Sequence, residues 1–167
     1  MKSLNDFSGM VVGPPCIGQW SPVPQFVEIA HFMTPEQIKL VRQSWNSLWP
    51  KWNEFADKVY GRFFEIAPDA RRLFADDLGP QKIKLMDTMT VIIGYLDNPS
   101  MFGSIISHSG KQHQRFGARI EHYAGFRNAL MEGLKLQFGA AFTPELEEAW
   151  TALYDEVRQE MIRYAKA

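Results

Sequence analysis

The sequence predicts an all-α fold, and three observations point to it. Apolar residues recur every three or four positions along most of the chain, which is the spacing of one face of a helix. No stretch between turn signals shows the two-residue alternation of a half-buried strand. Prolines and glycines interrupt the helical pattern several times, so about six to eight helices of mixed length are expected in one body.

The first part of the chain is expected to be a loose extension, residues 1–32, followed by a folded domain over residues 33–167. Four prolines and several glycines interrupt the extension, and no helical period is sustained there. Regular patterning starts at Met33. This residue is either the natural initiator or the end of an arm that docks on the domain through Trp20 and Phe26.

Prolines bound the first two predicted helices. Thr34-Pro35-Glu36-Gln37 supplies an N-cap hydroxyl, a proline in the first turn and a glutamine three residues after the threonine, which together form a capping-box start. The first helix ends before Pro50, and the second is stopped by Pro68 and followed by a short turn. The inward stripes are Ile38, Val41, Trp45 and Leu48 on the first helix, and Trp52, Phe55, Val59, Phe63 and Ile66 on the second.

The later helices follow the same pattern of start and stop signals. Pro80 opens the third and Asp97-Asn98-Pro99 closes it; a weaker, shorter helical segment then leads to His113 and is broken by Gly117. A long helix ends at Gly139, and Thr143-Pro144-Glu145 starts the last one. The expected inward residues are, in order, Leu85, Met89, Ile92, Leu96; Phe102, Ile105, Ile106; Tyr123, Phe126, Leu130, Leu134; and Leu146, Trp150, Leu153, Val157, Met161.

Composition excludes several classes of partner and location. Eighteen Lys and Arg residues against 19 Asp and Glu leave no basic field for nucleic acid or anionic lipid. The single cysteine, Cys16, forms no internal disulfide and no multi-cysteine metal site, which fits a reducing cytoplasm. The longest apolar run, residues 89–96, is far shorter than the roughly 20 residues of a membrane span.

The usual enzyme signatures are missing from the sequence: there is no GxSxG elbow, HExxH pair, Gly-rich dinucleotide loop or phosphate loop. No two of the four histidines are three or four residues apart, so a zinc or di-iron site on one helix face is disfavoured. These histidines are His31, His108, His113 and His122.

Five residues stand in a suggestive order: Tyr60, then Phe74 fourteen residues later, Gln81 after seven more, His113 after thirty-two and Tyr123 after ten. They lie in the segments KVYGRFFEIAPDARRLFADD, PQKIKLMDTMTVIIGYLDN and KQHQRFGARIEHY, which are followed by FGAAFTPELEEAWTALYDEV. In this order the segments resemble the globin family, and specifically single-domain bacterial and neuroglobin-like globins. The resemblance spans about residues 34–164 and implies a globin fold around a haem pocket.

On the proximal side, the resemblance implies that His113 is the iron ligand of a non-covalently bound haem b. Tyr123 matches a tyrosine that backs this histidine in flavohaemoglobins, while Ala165 falls where those proteins carry a glutamate. Phe126 would contact the haem. Taken alone, His113 reads as a surface or capping residue, and His108, about 140° away on a helix, is expected to have a structural or solvent role.

On the distal side, the resemblance places Gln81 facing the gas and Tyr60 projecting its hydroxyl into the pocket. Leu85 would form the apolar wall, and Phe74 would fix the tilt of the haem. Each residue also has an alternative interpretation without a ligand. Tyr60, Leu85 and Phe74 would then be core side chains, and Gln81 would face the solvent. Lys84 is the alternative to Gln81 at the distal position. No distal histidine is present, so bis-histidine ligation is not expected.

The implied function is tight, reversible binding of O2, with CO and NO as further ligands, in the class of oxygen-binding and oxygen-transport proteins. Slow release suits nitric oxide dioxygenation or oxygen scavenging better than transport. The chain has no room for a reductase domain, so an unknown external reductase is expected, and the protein is expected to be a monomer or weak homodimer. Gly110 and Ala118 suggest a looser proximal side. A gas sensor or a haem-free globin-like interaction module is the alternative.

Overall fold

The computed structural model describes residues 32–165, most of which lie in six α-helices. The helices are α1 (Pro35–Leu48), α2 (Trp52–Ile66), α3 (Gly79–Gly94), α4 (Pro99–Arg115), α5 (Ile120–Phe138) and α6 (Pro144–Ala165), with short 3-10 helices at Trp49–Lys51, Pro68–Leu73 and Gly139–Ala141. No strand occurs in this part of the chain, so the all-α prediction is confirmed. No helix within it has the length and apolar content of a membrane span. The predicted extension lies outside the described residues, apart from Phe32.

The predicted capping box begins α1. The backbone N–H of Gln37 donates to Thr34 Oγ1 at 3.2 Å, and the backbone N–H of Thr34 donates to Gln37 Oε1 at 2.9 Å. These two bonds satisfy backbone donors that have no partner inside the helix. The predicted stripe is buried as expected: Ile38, Val41, Trp45 and Leu48.

Glycines allow α2 and α5 to pack closely. A Cβ added at Gly133 would lie 2.7 Å from Val59 Cγ2, and one added at Gly125 would lie 3.4 Å from Ile66 Cγ2. Only a residue without a side chain fits the first of these positions without displacing its neighbour. The close approach brings the inner face of α2 under α5, where the core aromatic residues gather.

The helix that carries His113, α4, is longer than the sequence indicated. It starts at Pro99 because the Asn98 side chain caps it, accepting a hydrogen bond from the Met101 amide at 3.1 Å. The expectation of a looser proximal side is wrong for Gly110, since a Cβ there would lie 2.6 Å from the Met161 carbonyl oxygen. This glycine therefore lets the backbones of α4 and α6 touch.

In α3, the predicted stripe is only partly buried. Met89 and Ile92 are in the core, and Leu96 is buried just after the helix, but Leu85 is half-buried. The C-terminal end of α3 is fixed by Arg42, whose guanidinium donates to the carbonyls of residues 93 and 94 at 3.2 and 3.1 Å. Leu85 thus lies in the half of α3 that is farther from this anchor.

The contact between α4 and α6 predicts a large cost for a methyl group at Gly110. Because the Cβ of Gly110→Ala would meet backbone rather than a movable side chain, we expect a loss of about 1–3 kcal/mol in the free energy of unfolding, measured by urea denaturation. Gly103→Ala on the same helix is the control. Its Cβ has no neighbour within 4 Å, so it should stabilise the protein by roughly 0.5–1 kcal/mol. Equal effects at the two positions would contradict this packing.

Candidate functional site

A buried tyrosine and a glutamine from two helices meet in the structure. Tyr60, on the inner face of α2, is 3% exposed, and the Gln81 side-chain amide in the first turn of α3 donates to its hydroxyl oxygen at 3.2 Å. Burial raises the pKa of Tyr60 to about 12, and the Gln81 hydrogen bond opposes this rise. The phenol therefore keeps its hydrogen at neutral pH. Within residues 32–165 no group accepts that hydrogen, which leaves it available to a molecule placed beside it.

Aromatic side chains surround this pair. The ring centroids of Phe74 and Phe126 lie 5.7 and 6.1 Å from that of Tyr60, both in edge-on arrangements. Phe74 reaches the ring because the chain turns to extended backbone right after the 3-10 helix Pro68–Leu73. Phe74, Phe126 and Leu85 are each half-buried and pack against the core. Phe74 and Phe126 therefore lie against Tyr60 while each keeps part of its surface exposed.

His113 lies in the last turn of α4 with one ring nitrogen already engaged. Its Nδ1 is 2.8 Å from the Ser109 carbonyl oxygen, and since a carbonyl can only accept, Nδ1 carries the hydrogen. The other nitrogen, Nε2, then has the lone pair that a metal requires. The side chain is exposed, so this nitrogen is accessible.

Tyr123 links His113 to the core. The two ring centroids are 5.8 Å apart, and the Tyr154 hydroxyl donates to the Tyr123 carbonyl at 2.9 Å. Burial raises the pKa of Tyr123, so its phenol is also neutral. In the described part of the chain no carboxylate is hydrogen-bonded to Tyr123, and Ala165 at the end of α6 offers none.

The two alternative residues lie elsewhere. Lys84 is exposed, with its ammonium 5.8 Å from the centroid of the Phe116 ring, and it makes no hydrogen bond to Tyr60. His108 is exposed and lines a shallow groove with Lys111 and Tyr164. The structure therefore brings Tyr60, Gln81, Phe74 and Phe126 into one cluster, and it places His113 against Tyr123 one helical turn before Phe126 on α5.

Sequence reasoning missed one buried histidine beside the site. His122 is 5% exposed; its Nδ1 accepts from the Arg119 amide at 3.1 Å, and its Nε2 lies 3.1 Å from an Asp69 carboxylate oxygen. The His122 hydrogen bond is the main cause that lowers the pKa of Asp69, with Arg119 adding to it. His122 thus ties the segment before Phe74 to the start of α5. No local signal in the sequence pairs His122 with Asp69, which is 53 residues away.

These residues fit a haem. Within residues 32–165 no three His, Cys, Asp or Glu side chains gather as a metal site. One imidazole is nevertheless enough for an iron whose other ligands come from a porphyrin, and Nε2 of His113 is such a donor. The half-buried aromatic residues suit the porphyrin faces, and the neutral phenol of Tyr60 suits a small polar ligand.

The raised pKa of Tyr60 predicts a loss of stability at high pH. Between pH 10 and about 12 a tyrosine of the unfolded chain ionises while Tyr60 of the folded chain does not, so the free energy of unfolding falls as the pH rises. We expect Tyr60 to account for about 2–3 kcal/mol of this fall. Urea unfolding of the haem-free protein at several pH values should therefore give a shallower decline for Tyr60→Phe than for the wild type. Identical declines would refute the burial of this phenol.

Comparison with known proteins supports the same interpretation. A family model described as Globin matches residues 57–161. The chain is 26% identical to a flavohemoprotein of Vibrio cholerae over 125 residues, which cover 73% of this chain and 32% of that protein. It is 29% identical to the anaerobic nitrite reductase HBII of Casuarina glauca over 140 residues, which cover 74% of this chain and 87% of that protein. It is 26% identical to neuroglobin-1 of Oncorhynchus mykiss over 145 residues, which cover 78% of this chain and 91% of that protein.

The chain thus spans about a third of the length of its flavohemoprotein relatives and most of the length of the other two. The matched region covers more than half of the chain and contains Tyr60, Gln81 and His113. Together with the all-helical structure, this match shows that the chain belongs to the globin family, whose members bind haem and, through it, diatomic gases.

Proposed function

We propose that this globin holds O2 tightly between His113 on one side and Tyr60 with Gln81 on the other, with CO and NO as competing ligands, and that the held O2 reacts with nitric oxide. The observation that carries the proposal is the Gln81–Tyr60 hydrogen bond. Since Gln81 donates to the phenol oxygen, the hydrogen of Tyr60 points elsewhere and can be donated to a gas. A hydrogen-bond donor at this point favours a ligand that carries negative charge.

The remaining residues would hold the prosthetic group. His113 would supply Nε2 to the iron, with its ring orientation set by the Ser109 carbonyl and by the Tyr123 ring. Phe74, Leu85 and Phe126 would pack against the porphyrin. When bound, haem b supplies an open iron position that takes up a diatomic gas.

Tyr60 and Gln81 would set how long the gas stays. A hydrogen bond to a charged acceptor contributes about 1.5–3 kcal/mol, so donation from one or both side chains slows release of O2 by roughly ten- to several-hundred-fold. CO, which carries less negative charge, gains less from the same donors. The buried surroundings of Tyr60 exclude water that would otherwise compete for its hydrogen.

Slow release of O2 suits consumption of nitric oxide. One O2, one NO and one electron give one nitrate, so each turnover needs an electron donor. We infer that a reductase supplies this electron, an inference supported by the similarity to flavohemoproteins. Scavenging of O2 by binding alone would need no electron supply. The cytoplasm is the proposed location, and a monomer or weak homodimer the proposed state.

Removal of the distal hydroxyl should speed the release of O2. For Tyr60→Phe we expect an O2 dissociation rate about ten-fold or more above the wild-type value, because one charge-assisted hydrogen bond is lost. The CO dissociation rate should change much less. Stopped-flow replacement of O2 by CO measures the first rate, and equal O2 rates in the two proteins would contradict a donor role for Tyr60.

Removal of the proximal imidazole should abolish stable haem binding. Titration with hemin should give the wild type a sharp Soret band, and His113→Ala a weak or missing one, since no other imidazole among residues 32–165 has its Nδ1 hydrogen-bonded to a carbonyl. His108→Ala on the same helix is the matched control and should bind hemin like the wild type. A normal Soret band in His113→Ala would assign the iron to another residue.

The nitric oxide reaction is tested by its product. When the O2-loaded protein is mixed with one equivalent of NO, we expect stoichiometric nitrate within the dead time or shortly after it. Tyr60→Phe, prepared at the same O2 loading, should lose its O2 faster than it forms nitrate at low NO. If NO is consumed without nitrate, the proposed reaction is wrong even though the chain binds gas.

A further inference from the structure

The two ends of α3 are anchored differently. Arg42 fixes the C-terminal end by donating to its last carbonyls. The N-terminal end has no side-chain cap from Leu78, and the nearest local bond is donated by the Gly79 amide to Asp77 Oδ1 at 2.8 Å. The position of the first turn, which carries Gln81, therefore depends on its contacts with α2.

Two polar contacts join this turn to α2. Gln81 donates to Tyr60, and the next residue, Lys82, places its ammonium 2.9 Å from an Asp57 carboxylate oxygen. Asp57 precedes Tyr60 by three residues and so lies close to the same face of α2. The ion pair and the distal hydrogen bond thus connect the same two helical turns.

Burial of its cation sets this ion pair apart from those on the surface, while the Asp57 side chain is 57% exposed. The Lys82 side chain is 14% exposed, less than that of any other lysine or arginine in an ion pair within residues 32–165. An ammonium that is largely removed from water needs its partner, whereas a fully exposed pair contributes little. In the Lys135–Glu147 pair between α5 and α6, for comparison, both side chains are about half exposed.

We propose that Lys82 and Asp57 form a latch that holds the first turn of α3 against α2 and thereby fixes the Gln81 amide on the Tyr60 hydroxyl. Neither residue contacts the gas, so both are positioning residues. With the latch open, α3 shifts at its uncapped end and Gln81 leaves Tyr60. The phenol hydrogen then reorients, and the gas is held less well. This inference rests on the proposed gas-binding function.

The test removes the charge of Lys82 while keeping its apolar stem. For the haem-loaded full chain, we expect Lys82→Met to raise the O2 dissociation rate about 2- to 10-fold, the effect of one weakened hydrogen bond. The C–O stretching band of the CO complex should move to higher frequency, in the same direction as in Gln81→Leu. Asp57→Asn should change the O2 dissociation rate and the C–O band in the same way. Lys82→Arg, which keeps the ion pair, should have the wild-type rate and the wild-type band.

Lys135→Met is the control, because it removes an ion pair of similar length far from α3 and should change neither value. If Lys82→Met keeps the wild-type rate and CO band while Tyr60→Phe alters both, the latch is wrong and the proposed function stands. If Tyr60→Phe also alters neither, the proposed function fails. A Lys82→Met protein that only melts earlier, with an unchanged CO band, would show a purely structural ion pair.

Discussion

The hydrogen bond between the Ser109 carbonyl and His113 Nδ1 is the interaction on which the rest of the site depends. It occupies one ring nitrogen and leaves the other with its lone pair, so it selects the tautomer in which Nε2 can serve as a metal ligand. The bond exists because α4 continues through both residues, and α4 is held in place where Gly110 meets the Met161 backbone. A glycine without a side chain thus supports a histidine three residues later.

The proposed distal side depends on a second constraint, the contact of α2 with the first turn of α3. The close packing of α2 on α5 at Gly133 buries Tyr60, and burial keeps its phenol neutral. Gln81 then determines which way the phenol hydrogen can point. Lys82 and Asp57 form a second contact between the same two helices. A hydrogen bond and an ion pair therefore both connect α2 to the turn that carries the Gln81 side-chain amide. Packing, burial and charge together orient the Tyr60 phenol, which under the proposed function donates to the gas.

Local signals in the sequence were enough for the helices and for part of the site. The Thr34 capping box, the glycine stops and the apolar stripes depend on neighbours within a few residues. The structure bears out the capping box, the stops at Gly117 and Gly139 and most of the stripes, but Leu85 is only half-buried. The length of α4 was underestimated because its serines and glycines carry no apolar stripe, although Asn98 provides a cap. The clustering of Tyr60, Phe74 and Gln81 was expected only through the family resemblance. Contacts between residues far apart in the sequence, such as His122 with Asp69 and Lys82 with Asp57, produce no periodic pattern of residue types from which they could be predicted.

The proposed function requires that His113 binds the haem iron on one side and leaves the other side open. Resonance Raman spectroscopy of the reduced, gas-free, haem-loaded protein tests it most directly, since the iron–imidazole stretching band appears only when iron has a single axial histidine. We expect this band in the wild type, its loss in His113→Gly, and its return when free imidazole is added. A band that persists in His113→Gly, or a six-coordinate low-spin wild type, would show that His113 is not the sole ligand from the protein.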